Sequence, residues 1–136
     1  MSPKPSTQEE ARRWLSKAGD DLRACDVDLA AVPPLIEDAL YRCQQACEKT
    51  RKGFLVWHSQ PFRRTHDIGE LATLCVELDA SLEASVAPAA PRTEYNSAFR
   101  YPGTRDEPSL SEAEEARAIA GHVCDAINTR MSQRPA

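Results

Sequence analysis

The chain has 136 residues, 41% hydrophobic and 28% charged, which is typical of one soluble globular domain and excludes a largely disordered chain. A net charge of −4 excludes a protein that holds nucleic acid by bulk positive charge. Five cysteines without a CxxC pair predict neither a disulfide framework nor a zinc ribbon. No apolar run has the length of a signal peptide or a membrane span, so we expect a cytoplasmic protein with no membrane association. We also expect that the protein holds no metal and no cofactor.

Helix one is predicted from a capping box and one apolar stripe. Thr7 with Glu10 three residues later favours a helix start at this point. Prolines at 33–34 end the helix, because proline cannot continue a helix interior. The neighbouring carboxylates Asp20 and Asp21 are expected to be solvated, since adjacent helical residues point in different directions. Four residues fall within about 60° on the buried side: Trp14, Ala18, Cys25 and Leu29.

Helix two is predicted from Pro34 or Leu35 to about Trp57, proline being acceptable in a first turn. Gly53 interrupts its apolar stripe, which indicates either a close contact or a frayed last turn. Glu48 lies about 180° from the stripe, so we expect it to face another protomer, a later loop or water. The stripe comprises Ala39, Cys43, Ala46, Cys47, Thr50, Phe54 and Trp57.

Helix three follows a connector and is predicted to begin at an Asp cap. Asp67 precedes Glu70 by three residues, as in a capping box. Its apolar stripe is Ile68, Leu71, Leu74, Cys75, Leu78 and Leu82. Residues 84–108 then carry four prolines and one glycine without a sustained period. A loop of this length inside a small domain is usually functional or mobile.

Helix four is predicted to begin at Ser109 with Glu112, or at Ser111 with Glu114. Its buried side is Leu110, Ala113, Ala116, Ala120, Val123, Cys124, Ile127 and Met131. The predicted fold is therefore all-α, an antiparallel up-and-down four-helix bundle with a long loop before the last helix. The folded domain is expected over residues 7–131, with flexible termini at 1–6 and 132–136.

Histidine is the natural acid or base near neutral pH, and His66 is the most suggestive of the three histidines. It stands beside Asp67 and behind Arg63 and Arg64 in a compact polar cluster. The alternative is a capping or packing residue at a helix start. Motifs for a phosphate loop, a nucleophile elbow and a metallohydrolase are all absent from the sequence.

The long loop contains "EYNSAFRYP", which offers an arginine and an aromatic side chain together. Arg100 is suited to hold a phosphate or carboxylate, and Tyr101 to stack on a base or donate a hydrogen bond. An equally good interpretation is that Arg100 pairs with a carboxylate of the bundle and Tyr101 fills one end of the core.

Five blocks occur in a fixed order: "ARRWLSKAGDDLRAC", "QQACEKTRKGFL", "THDIGEL", "FRYPG" and "SEAEEARAIAGHV". Together they resemble the HEPN domain over about residues 11–130. The resemblance implies a four-helix bundle, commonly a homodimer. Such proteins are often encoded beside a small nucleotidyltransferase, or occur in toxin-antitoxin and defence settings.

Many members of the family are metal-independent RNases with an Arg and a His four to six residues apart at the entrance to the last helix. The chain lacks this pair in the expected place, because no His follows Arg100 within six residues. Arg117 and His122 have the spacing but turn about 140° apart on a helix. Arg51 and His58 lie on helix two instead, so both spacings are interpreted as chance.

Three functions are compatible with the resemblance. The first is a non-enzymatic homodimer that binds a nucleotide or a nucleotidyltransferase partner. The second is an RNase in which His66 is the general acid or base and Arg100 stabilises the developing charge. The third is a scaffold whose polar blocks fix helix register. The candidate nucleotide- or partner-binding residues are Glu48, Lys49, His66, Asp67, Arg100 and Tyr101.

Overall fold

The computed structural model describes residues 3–83 and 107–132. The helices in these ranges are α1 (Pro5–Ala30), α2 (Ile36–Trp57), α3 (Ile68–Leu78) and α4 (Leu110–Ser132), with a 3₁₀ turn at Ala80–Leu82. The predicted all-α four-helix bundle is confirmed for this part of the chain. None of its helices combines the length and apolar character needed to cross a membrane.

Local capping signals located two of the helix starts. The Asp67 side chain accepts the Glu70 backbone N–H at 3.2 Å at the start of α3. Ser109 Oγ accepts the Glu112 N–H at 3.1 Å at the start of α4. These bonds satisfy backbone donors that a first helical turn leaves without a partner.

The predicted capping box at Thr7 is wrong, because α1 begins earlier, at Pro5. Lys4 occupies the cap position without a side-chain hydrogen bond. A proline in the first turn explains this start, since it has no N–H to satisfy and its φ already suits a helix. The Gln8 side chain adds a hydrogen bond to the Pro3 carbonyl at 2.8 Å.

Helix α2 contacts each of the other helices. It runs antiparallel to α1, with Cys25 Sγ 3.4 Å from Cys43 Sγ between them. On another side Thr50 Oγ1 lies 3.0 Å from Cys124 Sγ of α4. As predicted, the cysteines form no disulfide and lie in the core, although Cys124 is only partly buried. A helix surrounded in this way has few positions that face solvent.

Gly53 marks a close approach of α1 to α2. A Cβ atom at this position would lie 2.4 Å from Leu15 Cδ2, 3.0 Å from Trp14 Cβ and 3.1 Å from the Ala11 carbonyl oxygen. Gly53 lies within α2, whose hydrogen bonds continue to Trp57. The close-contact alternative is therefore correct, and glycine is needed for space.

Two predicted core positions are wrong. Leu78 was expected in the apolar stripe of the third helix, but it is 36% exposed at the last residue of α3. Leu110 was expected on the buried side of the last helix, but it is 38% exposed. It is the first residue of α4, where the helix has not yet entered the bundle. Three residues on, Ala113 is fully buried.

Candidate functional site

The segment between α2 and α3 turns back along α2. Helix α2 ends with Ser59 at φ 55°, a left-handed conformation. The Gln60 N–H donates to the Leu55 carbonyl at 2.8 Å. The Ser59 N–H donates to the Val56 carbonyl at 2.9 Å, which completes a Schellman motif. The chain then returns to His66, which lies beside the middle of α2.

Glu48 and His66 form the centre of the candidate site. His66 Nδ1 lies 2.9 Å from Glu48 Oε1. A carboxylate only accepts hydrogen bonds, so Nδ1 carries the hydrogen and Nε2 remains available to another partner. The His66 side chain is 78% exposed, which makes Nε2 accessible to a ligand. A fixed carboxylate thus orients an exposed imidazole.

Two of the three environments predicted for Glu48, another protomer and water, are wrong, and the third, the later loop, lies outside the described residues. Glu48 is 3% exposed and lies within its own chain instead of facing a partner or water. Its second oxygen accepts a hydrogen bond from Lys52 Nζ at 3.2 Å, one helical turn further on. The wheel of a single helix could not reveal this burial, because His66 returns from a separate segment. The i, i+4 spacing of Glu48 and Lys52 was a usable local signal.

Lys52 extends the cluster to α1. Its Nζ lies 5.6 Å from the ring centroid of Trp14, within the range of a cation–π contact. Lys52 is itself buried, and its charge is balanced by the Glu48 carboxylate and by the indole face of Trp14. Neither Lys52 nor Trp14 was among the predicted site residues.

Lys49 belongs to a different cluster from Glu48, although the two are adjacent in sequence. Its Nζ lies 2.7 Å from Asp21 Oδ2 of α1, and Arg42 Nη1 lies 3.2 Å from Asp21 Oδ1. Asp21 is buried, so the prediction of a solvated carboxylate is wrong. Packing of α2 on α1 covers it, which the i, i+1 argument did not consider. This cluster ties the two helices together.

The α1–α2 seam contains a third acidic group near its turn. Asp28 is buried, and desolvation raises its pKa to about 6. The neighbouring Asp38 contributes to this raised pKa, while Arg42 opposes it. This carboxyl group therefore holds its proton more strongly than a solvated Asp.

The remaining predicted residues divide between capping and the undescribed segment. The carboxylate of Asp67 caps α3, so its role in the described structure is to stabilise the start of that helix. Arg63 Nε and Nη2 donate to the two carboxylate oxygens of Glu70 at 2.7 Å and 2.9 Å. The neighbouring Arg64 is exposed and makes no ion pair in the described part of the chain. Arg100 and Tyr101 lie outside the described residues.

The residues of the two Arg–His spacings have different surroundings in the structure. Arg117 is held by Asp26 of α1 at 2.7 Å and 3.2 Å, while His122 is exposed on α4. Arg51 is fully buried, and this desolvation lowers its pKa. His58 instead packs against the ring of Phe54, with the ring centroids 4.5 Å apart.

Within residues 3–83 and 107–132, no three His, Cys, Asp or Glu side chains are grouped in a way that could hold a metal ion. Burial also raises the pKa of the Cys75 thiol to about 12, so this cysteine is a core residue without thiolate character. The described polar groups at the site are the Glu48 carboxylate, the Lys52 and Arg64 cations and one oriented imidazole.

Comparison with known proteins gives one family. The model of the HEPN domain matches residues 11–130, which include α2, α3 and most of α1 and α4. Searches among curated proteins and among solved structures gave no match. The family match covers the Glu48–His66 pair and both clusters along the α1–α2 seam. The chain therefore belongs to the HEPN domain family.

Proposed function

We propose that this HEPN-domain protein is a nucleotide-binding module that holds a phosphate of its ligand at His66. The observation that carries the proposal is the contact between His66 Nδ1 and buried Glu48 at 2.9 Å. In its doubly protonated form the imidazole donates Nδ1–H to Glu48 and Nε2–H to a phosphate oxygen. Arg64, exposed two residues earlier, supplies a further cation for the same anion.

Burial of Glu48 supports a binding role for this arrangement. A buried carboxylate is costly to desolvate and is tolerated only with partners. Glu48 has one internal partner, Lys52, and one exposed partner, His66. An exposed imidazole held by a buried group loses little conformational freedom when it binds a ligand, which favours affinity.

Direct titration tests the proposal. Nucleoside mono- and triphosphates should bind the purified chain in calorimetry and raise its thermal midpoint, because a ligand that binds the folded state stabilises it. His66→Ala should weaken binding by about 10- to 100-fold, the contribution of a charge-assisted hydrogen bond. His122→Ala is the matched control, since His122 is exposed on α4. Equal affinity in all three proteins would refute a phosphate site at His66.

The finer setting belongs to the same proposal, and family membership supports it. We infer that the module acts as a homodimer in a toxin-antitoxin or defence system, beside a nucleotidyltransferase partner. A local charge arrangement supports an anionic ligand, because His66 and Arg64 lie on one short exposed segment of an otherwise acidic chain.

A metal-independent RNase is the second candidate, and the same Glu48–His66 pair favours it. A carboxylate that holds Nδ1 leaves Nε2 of a neutral imidazole as an acceptor, suited to take a proton from a ribose hydroxyl. Arg100 remains the proposed cation for the developing charge on phosphorus.

Cleavage assays separate this candidate from simple binding. An RNase should cut single-stranded RNA in the presence of a chelator, and His66→Ala should reduce the rate by about 100-fold or more, the usual contribution of a general acid or base. His122→Ala should cut at the unaltered rate. Cleavage that survives in His66→Ala would contradict this role.

A further inference from the structure

A groove opens on the outer face of α1 in the described structure, beside the Glu48–Lys52–His66 cluster. Its volume is about 300 Å³, and its described lining residues are Glu10, Arg13, Trp14 and Lys17. Arg13 and Trp14 are adjacent, and each lies three or four residues from both Glu10 and Lys17, so the four residues share one helix face. The groove touches the cluster through Trp14, whose ring lies 5.6 Å from Lys52 Nζ.

The charged groups of this groove differ from those further along the α1–α2 seam. Asp21 and Lys49, for example, are joined at 2.7 Å. Glu10, Arg13 and Lys17, in contrast, make no ion pair or side-chain hydrogen bond within residues 3–83 and 107–132. In the part of the chain that the structure describes, two cations and one carboxylate without such partners thus line the same groove as a half-buried indole ring.

We propose that this groove binds the base of a nucleotide, stacked on Trp14. The inference rests on the proposed nucleotide-binding function and names the part of the ligand that His66 does not contact. An indole face provides sequence-tolerant stacking for a base, and the flanking Arg13 and Lys17 add positive charge that attracts an anionic ligand. The same chemistry is offered by a free nucleotide and by one nucleotide of a single-stranded RNA.

Glu10 gives the groove a preference among bases. An ionised carboxylate only accepts hydrogen bonds, so it favours a base with an exocyclic amine. Adenine, guanine and cytosine have such a group. Uracil offers one N–H between two carbonyl oxygens, which repel a carboxylate. The groove is therefore selective for amine-bearing bases over uracil.

Fluorescence of Trp14 tests this assignment directly. The chain has two tryptophans, so Trp57→Phe leaves Trp14 as the sole indole reporter. AMP and GMP should change its emission saturably, and UMP should require at least about tenfold higher concentration for the same change. Glu10→Gln should remove this preference without disturbing the fold, because Glu10 is exposed. An unchanged preference in Glu10→Gln would overturn its role in selection.

Calorimetry then measures the contribution of stacking. Trp14→Leu retains an apolar side chain but no aromatic face, and it should weaken AMP binding by about tenfold or more. Arg13→Ala with Lys17→Ala should weaken binding and reduce its salt dependence. Arg23→Ala on the same helix is the matched control and should bind as the unaltered chain does. Circular dichroism verifies that each variant is folded.

The outcomes separate the groove from the phosphate site. Binding that depends on His66, with Trp14 emission unchanged and Trp14→Leu and Glu10→Gln unaffected, would overturn the groove and leave the proposed function standing. Failure of every nucleotide and RNA to bind the unaltered chain would overturn both. Single-stranded pentamers of A and U identify the source: tighter binding of the A pentamer than of AMP supports an RNA strand, and equal affinity supports a free nucleotide.

Discussion

Replacement of Glu48 by Ala should lower the free energy of unfolding by about 3 kcal/mol, near the lower end of values for a broken buried ion pair. The variant leaves Lys52 buried with its cation–π contact to Trp14 but without its anionic partner. It also frees His66, whose exposed side chain can be solvated, which limits the loss. The effect comes mainly from the charge left in the interior.

Urea denaturation followed by circular dichroism measures this loss. Glu70→Ala is the matched control, because it also removes a paired glutamate, but at the surface. The Arg63 side chain is 73% exposed and that of Glu70 31% exposed, so solvent screens the pair and the expected loss is much smaller than for Glu48→Ala. Similar losses in the two variants would contradict the interpretation of Glu48 as a buried centre. Glu48→Ala combined with Lys52→Met should recover part of the stability, since no unpaired cation remains.

The fold was largely predictable because its signals are local. The caps at Asp67 and Ser109 depend on residues within one turn, and both formed as predicted. The apolar periods likewise identified the four helices and most of their buried sides. The undescribed residues 84–106 include Arg100 and Tyr101, so these candidates stay predictions.

Only two members of the candidate site were predicted, and its geometry was not. His66 and Glu48 were both named, but their contact depends on the turn at Ser59 that sends the connector back along α2. A helical wheel describes one helix alone, and it therefore placed Glu48 on the side of α2 opposite the apolar stripe. For the same reason the pairing of Asp21 with Lys49 carried no local signal.

Gly53→Ala should lower the free energy of unfolding by about 1–3 kcal/mol, the usual cost of overpacking a filled interior. Alanine is otherwise preferred over glycine within a helix by about 1 kcal/mol. Here the added methyl group would lie 3.0 Å from Trp14 Cβ and 3.1 Å from the Ala11 carbonyl oxygen, while the 2.4 Å approach to Leu15 Cδ2 involves a movable methyl group. The first two atoms move only with α1, so the helices must separate.

Gly19→Ala is the matched control, because Gly19 is also a helical glycine but has nothing within 4 Å of an added Cβ. It should raise the free energy of unfolding by about 0.5–1 kcal/mol. The two variants are compared by their midpoints of urea denaturation, provided that the free energy of unfolding depends on urea with the same slope in both. Stabilisation by Gly53→Ala would contradict the close contact. Because the two substitutions should change the free energy of unfolding in opposite directions, the comparison separates the effect of space between the helices from the effect of helix propensity. Since Gly53 also sets the approach of Trp14 to α2, the geometry between Trp14 and Lys52 depends on this one position lacking a side chain.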